Sequence, residues 1–137
     1  MKIKYDAELL NLMNMFEKIT KAHLKDCFFN KDKLVFVVNH GDMGKALGKH
    51  KTNLVKIEQA LNRKIKIVEF NPEIQQFIRN LMFPLKILEM SEEDGIIIIK
   101  GPDTKTKGLM IGARAQNLRN YEEITRKYFD IKEIKVV

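Results

Sequence analysis

The segment Gly44 to Leu54 reads Gly-Lys-Ala-Leu-Gly-Lys-His-Lys-Thr-Asn-Leu, and the segment Gly108 to Leu118 reads Gly-Leu-Met-Ile-Gly-Ala-Arg-Ala-Gln-Asn-Leu. Aligning Gly48 with Gly112 pairs Gly44 with Gly108, Asn53 with Asn117, Leu54 with Leu118 and Glu58 with Glu122. Average composition predicts about one identity in such a window. Each copy follows an apolar, strand-like run, Leu34 to Val38 or Ile96 to Ile99, and each precedes a helical pattern. A repeated strand, glycine loop and helix constrains the architecture more than any other feature of the chain.

At 137 residues the chain could form one compact domain or two small units, and the repeat selects two. Its formal net charge of +7 favours an anionic partner, of which nucleic acid is the commonest, although a solvated lysine-rich surface gives the same total. The position of the charge therefore has to decide. The single cysteine, Cys27, leaves no internal disulfide framework and no Cys-based zinc cluster, which fits a reducing cytosol, and its apolar neighbours suit a small buried hydrophobe. No run approaches the 18 or so apolar residues of a membrane span, and the N-terminal pattern is helical and polar rather than that of a signal peptide. A soluble cytoplasmic protein is expected.

Asp6 suits an N-cap, and Leu9, Leu10, Met13, Phe16 and Ile19 recur behind it at helical spacing. Ala22 to Phe29 and Leu34 to Val38 read as a β-hairpin around the polar turn Asn30 to Lys33. A short helix from Met43 to Leu47, the loop Gly48 to Lys51, a helix carrying Leu54, Ile57, Ala60 and Leu61, and a strand from Ile65 to Val68 complete an α-β-β-α-α-β unit. Asn71-Pro72 is read as the boundary, with one domain over residues 1–71 and another over 72–137, and Pro72 as the start of a helix.

In the second unit, Ile74, Phe77, Ile78, Leu81 and Met82 give a helix ended by Phe83-Pro84. Leu85 to Met90 and Ile96 to Ile99 form a hairpin around Ser91 to Gly95. A short helix before Gly112, a helical segment marked by Leu118, Tyr121, Ile124 and Phe129, and a strand from Ile131 to Val137 repeat the order. In each unit the crossover implies parallel second and third strands with right-handed connectivity, the hairpin adding an antiparallel strand.

A glycine loop between two short helices offers backbone N–H groups from the loop and from the next helix's N-terminus, the ingredients of a phosphate cradle. Gly48 and Gly112 allow another backbone to approach closely. In the first copy Lys49, His50 and Lys51 add charge, with Lys45 just before and Lys56 one turn beyond. In the second, Ala113, Arg114 and Ala115 form the loop, Lys105 and Lys107 lie upstream and Arg119 downstream. The first loop is the better electrostatic site; the opposing reading is that these glycines only turn the chain and the lysines face water.

Ala46 to Leu54 and Met110 to Leu118 resemble the Ile-Gly-x-x-Gly loop of the K-homology (KH) domain, and the element order is similar to the type II, prokaryotic variety. A short basic chain of two such domains resembles the archaeal NusA-like transcription factor family over essentially its whole length. The resemblance implies an α+β fold of two tandem type II KH domains, each a three-stranded mixed sheet covered by helices. It also implies non-enzymatic, single-stranded RNA binding in transcription elongation and termination, RNA polymerase as a further partner, and a monomer without cofactor or metal. The implied groove takes about four nucleotides, over an aliphatic floor of Leu47, Leu54 and Ile67, and of Ile111, Leu118 and Val136 in the second copy.

The chain departs from that pattern where the motif has its last glycine, with Lys51 in one copy and Ala115 in the other. A helical backbone there would accept a Cβ, while hindering a sugar-phosphate backbone. Aromatic stacking is not the expected mode, since no strand carries exposed aromatics at alternate positions.

Competing chemistry is weak. A Walker A needs four residues between its glycines and then Lys-Ser/Thr, whereas three separate Gly44 from Gly48 and His50 follows Lys49. His23, His40 and His50 lack metal-ligand spacing, and Glu92-Glu93-Asp94 reads as a solvated turn. Met13, Met15 and Met82 sit at core-like helical positions. Two alternatives stand beside the transcriptional reading: a protein-interaction scaffold that lost RNA affinity, which the eroded second loop favours, and an RNA-binding factor for ribosome assembly.

Overall fold

The computed structural model describes residues 6–137. The chain divides into two units, the first ending at Asn71 and the second beginning at Pro72. The first consists of α1 (Ala7–Thr20), β1 (Leu24–Asn30), β2 (Lys33–Val38), α2 (Met43–Leu47), α3 (Thr52–Leu61) and β3 (Ile65–Glu69). The second consists of α4 (Ile74–Met82), β4 (Glu89–Glu93), β5 (Ile96–Lys100), α5 (Thr104–Ile111), α6 (Gln116–Arg126) and β6 (Glu133–Val136). Both have the order α-β-β-α-α-β, and the fold is α+β with two three-stranded mixed sheets. In each sheet the middle strand pairs antiparallel with its hairpin partner and parallel with the last strand.

Local chemistry accounts for the element ends. The Asp6 carboxylate accepts the Leu9 N–H at 2.8 Å, and Asp103 does the same for Thr106 at 2.7 Å, each satisfying a donor that the first helical turn leaves open. Asn62 closes α3 in the left-handed conformation at φ 51°. The helical stripe of α1 buries Phe16 against Phe36 of β2, their rings stacked 4.3 Å apart, with Cys27, Leu34, Val38, Ala46 and Ile57 in the same core. In the second unit Ile78, Met82, Ile97, Ile99, Met110, Leu118 and Ile134 form the core. Met82 is fully buried, and Met13 and Met15 pack half-buried on the first core. Cys27 is also buried; desolvation, and next the Asp26 charge, push its thiol up to about 12, so it is an inert core residue.

Several expected boundaries move. The first strand begins at Leu24 rather than Ala22, and the last begins at Glu133 rather than Ile131. Phe129 lies beyond α6, which ends at Arg126. Pro72 precedes α4 by two residues instead of starting it. The largest difference is β4, which runs Glu89–Glu93 and not Leu85 to Met90. Asp94 and Gly95 have φ values of 51° and 80°, a two-residue turn with both central residues at positive φ, so the strands pair right up to it and Glu93 faces Ile96. Glu92 and Glu93 are therefore exposed strand residues rather than part of the turn.

Candidate nucleic-acid interface

Both glycine loops join a short helix to a longer one through the same backbone path. Gly48 has φ/ψ of 74°/173° and Gly112 of 73°/174°, a region essentially restricted to glycine. His50 and Arg114 follow at 56°/34° and 55°/31°, and Lys51 and Ala115 at 59°/27° and 60°/24°. The helical backbone expected at Lys51 and Ala115 is thus not what the loop adopts. The chain leaves Gly48 or Gly112 in an extended, positive-φ state, and two successive left-handed residues turn it back into the next helix. A side chain with a Cβ sits there against the conformational preference of L-residues.

The identities of the repeat have structural roles. Gly48 N–H donates to the Gly44 carbonyl at 3.0 Å and Gly112 N–H to that of Gly108 at 2.8 Å. Asn53 Nδ2 donates to the Lys45 carbonyl at 3.0 Å, and Asn117 Nδ2 to the Leu109 carbonyl at 2.8 Å, so each amide ties the start of one helix to the end of the preceding one. Glu58 and Glu122 accept the N–H of Ile65 (3.1 Å) and Ile134 (2.7 Å), tethering each long helix to the last strand. Sequence reasoning assigned none of these four side chains a role, although the repeat marks all of them. Gly44 and Gly108 differ: both are exposed, and an added Cβ would meet nothing within 4 Å. Packing within the unit does not require a glycine at either position.

Lys45, Lys49, His50, Lys51 and Lys56 are all exposed around the first loop. Leu47 and Leu54 are half-buried and pack on the core, while Ile67 is buried. In the second copy Ala113 and Arg114 are exposed, Ile111, Ala115 and Val136 half-buried and Leu118 buried. Arg119 is exposed but committed: one guanidinium nitrogen lies 3.0 Å from both oxygens of the buried Glu122 carboxylate, whose hydrogen bonds and charge raise the Arg119 pKa. Residues 1–71 hold fourteen lysines and arginines against eight acids, while residues 72–137 hold eleven against ten. The positive charge of the chain is therefore concentrated in the first unit.

Two histidine–carboxylate pairs brace the segment that launches α2. Asp42 accepts the His23 N–H at 2.8 Å and faces its ring nitrogen at 3.2 Å; that backbone bond in particular holds the Asp42 carboxyl below its usual range. Glu69 accepts the Gly41 N–H at 2.7 Å and lies 3.6 Å from His40. His23 and His40 thus serve the loop's foundation. Among the described residues no three or more His, Cys, Asp or Glu groups could hold a metal ion, and no helix is long and apolar enough to cross a membrane.

Fold and loop together define a duplicated α+β protein with one strongly basic glycine loop. No protein-family model matches the chain. A protein of Halobacterium salinarum named "Probable transcription termination protein NusA" is 30% identical over 138 residues, covering 99% of each chain. Proteins of the same name from Methanocaldococcus jannaschii and Thermoplasma acidophilum are 28% and 25% identical, covering 76% and 96% of those relatives. The chain belongs to this family of archaeal NusA-like proteins. The crystal structure of APE1850 has the same fold, with a TM-score of 0.72 over 97% of this chain and 24% identity.

Proposed function

We propose that the chain is a non-enzymatic, single-stranded RNA-binding protein acting in transcription termination and elongation, built from two type II KH domains with their boundary at Asn71-Pro72. The observation that carries this reading is the first loop: a positive-φ glycine and two left-handed residues lead into a helix N-terminus, surrounded by Lys45, Lys49, His50, Lys51 and Lys56. Backbone N–H groups at a helix start and dense cationic side chains suit a phosphate backbone. The bare α2 surface at Gly44 leaves room for a sugar-phosphate chain beside the loop. The relatives' printed name supports the transcriptional setting, with RNA polymerase as the proposed second partner of a cytoplasmic monomer.

The second loop has the same backbone but only Arg114 as a free-standing cation, because Arg119 is held by Glu122. It contributes less to RNA affinity. A protein-contact role for the second unit is the alternative this asymmetry favours. Titration of a fluorescent single-stranded RNA against the wild type and the Lys49→Asp/His50→Asp double variant tests the reading. Binding by the wild type and its loss in the folded variant are expected; no wild-type affinity at low salt refutes it.

A further inference from the structure

The first unit has a second cationic feature, at the end of α3 remote from the loop. Phe29, near the end of β1, is 42% exposed, and the Arg63 guanidinium lies over its ring at 5.2 Å from the centroid. Lys31, two residues on in the hairpin turn, and Lys64, next to Arg63, flank this pair in the chain, and both are exposed. The strand register brings these ends together: Phe29 pairs with Leu34 across the hairpin, and Leu34 pairs with Ile65, the residue after Lys64. Two acids lie at this corner, the exposed Asp32 and the half-buried Glu58, one of whose carboxylate oxygens accepts the Ile65 N–H.

The same corner of the second unit has the opposite character. Aligned through the hairpin register, Phe29, Asn30 and Lys31 correspond to Glu92, Glu93 and Asp94. An identical topology tolerates three acids there, so the fold does not call for an aromatic ring among lysines. The surface of α3 lies between the patch and the loop. Thr52, Val55, Gln59 and Asn62 recur at helical spacing along α3, and Val55, Glu58, Gln59, Asn62, Arg63 and Lys64 line an open groove of about 520 Å³. Val55 is 48% exposed within it. The ten residues of α3 place the two ends about 15 Å apart.

We infer that Phe29 and Arg63, with Lys31 and Lys64, form a second contact for the same single-stranded RNA, one base stacking on the Phe29–Arg63 pair while the lysines take its phosphates. The inference rests on the RNA-binding reading of the loop and extends the strand along α3. An aromatic face beside a guanidinium provides stacking that any base can use, and the surrounding charge gives no preference for sequence. This is an isolated stacking position at a strand's end, distinct from the row of alternate exposed aromatics that the sequence lacks.

The test uses the full chain and mixed-sequence oligoribonucleotides of two lengths, about four nucleotides, enough for one loop groove, and about twelve, enough to continue along the surface. Phe29→Leu keeps an apolar residue but removes the stacking face, and Phe29→Tyr restores it. Phe29→Leu and Arg63→Ala should each weaken the longer RNA about fivefold or more, leave the shorter one unchanged, and retain the wild-type circular dichroism; Phe29→Tyr should bind as wild type. Wild-type affinity of both substituted chains for the longer RNA overturns the second contact while leaving the loop reading intact. If Lys49→Asp/His50→Asp binds both RNAs normally while Phe29→Leu weakens the longer one, the loop reading fails and the patch stands.

Discussion

The Asn53 amide fills the space that a side chain on Gly48 would need: a Cβ at Gly48 would lie 2.8 Å from Asn53 Cγ and Nδ2. That amide donates to the Lys45 carbonyl, so the glycine and the asparagine form one device, in which the missing side chain admits the group that staples two helices. Gly112 and Asn117 repeat it at 2.7 Å, with Leu109 as acceptor.

Gly48→Ala should cost about 1–3 kcal/mol from its backbone region alone, and Asn53→Ala about 1 kcal/mol for its hydrogen bond. The double substitution should cost less than the two together, because removing the amide relieves the clash. Urea unfolding of the four proteins measures this. Additive losses would show that the glycine is required only for its φ.

Lys51 and Ala115 hold the left-handed conformation with a Cβ, at φ 59° and 60°. Ala115→Gly should raise stability by up to about 1 kcal/mol, the left-handed strain relieved less the greater freedom glycine gives the unfolded chain. Lys51→Gly should also stabilise, at the expense of one loop charge. Ala115→Val should lower the melting temperature, since a β-branched residue suits this region least. Unchanged melting temperatures for both glycine variants would place these residues elsewhere in φ/ψ space.

Glu122 is buried and accepts both a strand N–H and an arginine, whereas Glu58 is only half-buried and accepts the equivalent N–H at a longer distance. Glu122→Ala should cost about 2–3 kcal/mol, the range for a charged acceptor whose loss leaves a buried donor unpaired, and Glu58→Ala less. Arg119→Ala should cost less than either, since water can replace its exposed end. Chemical denaturation of the three variants checks this ranking.

Apolar spacing and turn residues made most of the architecture legible, including the α2 range of Met43–Leu47 and the parallel pairing of β2 with β3. The β4 error arose because Leu85, Ile87 and Leu88 look more strand-like than Glu89 to Glu93, while pairing is dictated by the Asp94-Gly95 turn and by the backbone of β5. The loop was visible as a repeat, but its left-handed backbone was not: Lys51 and Ala115 carry no composition signal for positive φ, and only the path from Gly48 or Gly112 into the next helix imposes it. Asn53 and Glu58 were visible as identities without roles, because their partners are backbone atoms that only the folded chain brings near.

If RNA follows the charge, the two loops must respond unequally to the same insult. Lys49→Asp/His50→Asp removes two of the five basic side chains exposed in and around the first loop and sets two acids against the remaining Lys45, Lys51 and Lys56. Ala113→Asp/Arg114→Asp acts on a loop whose own cation is Arg114, with Lys105 exposed upstream and Arg119 already bound to Glu122. The first change should abolish binding, and the second should weaken it by a smaller factor. Salt adds an independent measure, since each phosphate contact released should change the slope of log affinity against log salt by about 0.7 on single strands. Lys49→Ala should therefore flatten the wild-type slope by about that amount, while Arg119→Ala should leave it nearly unchanged. Anisotropy titrations between low and moderate salt report both quantities. Equal losses from the two loop changes would assign the second loop a full share of the RNA and contradict the charge argument.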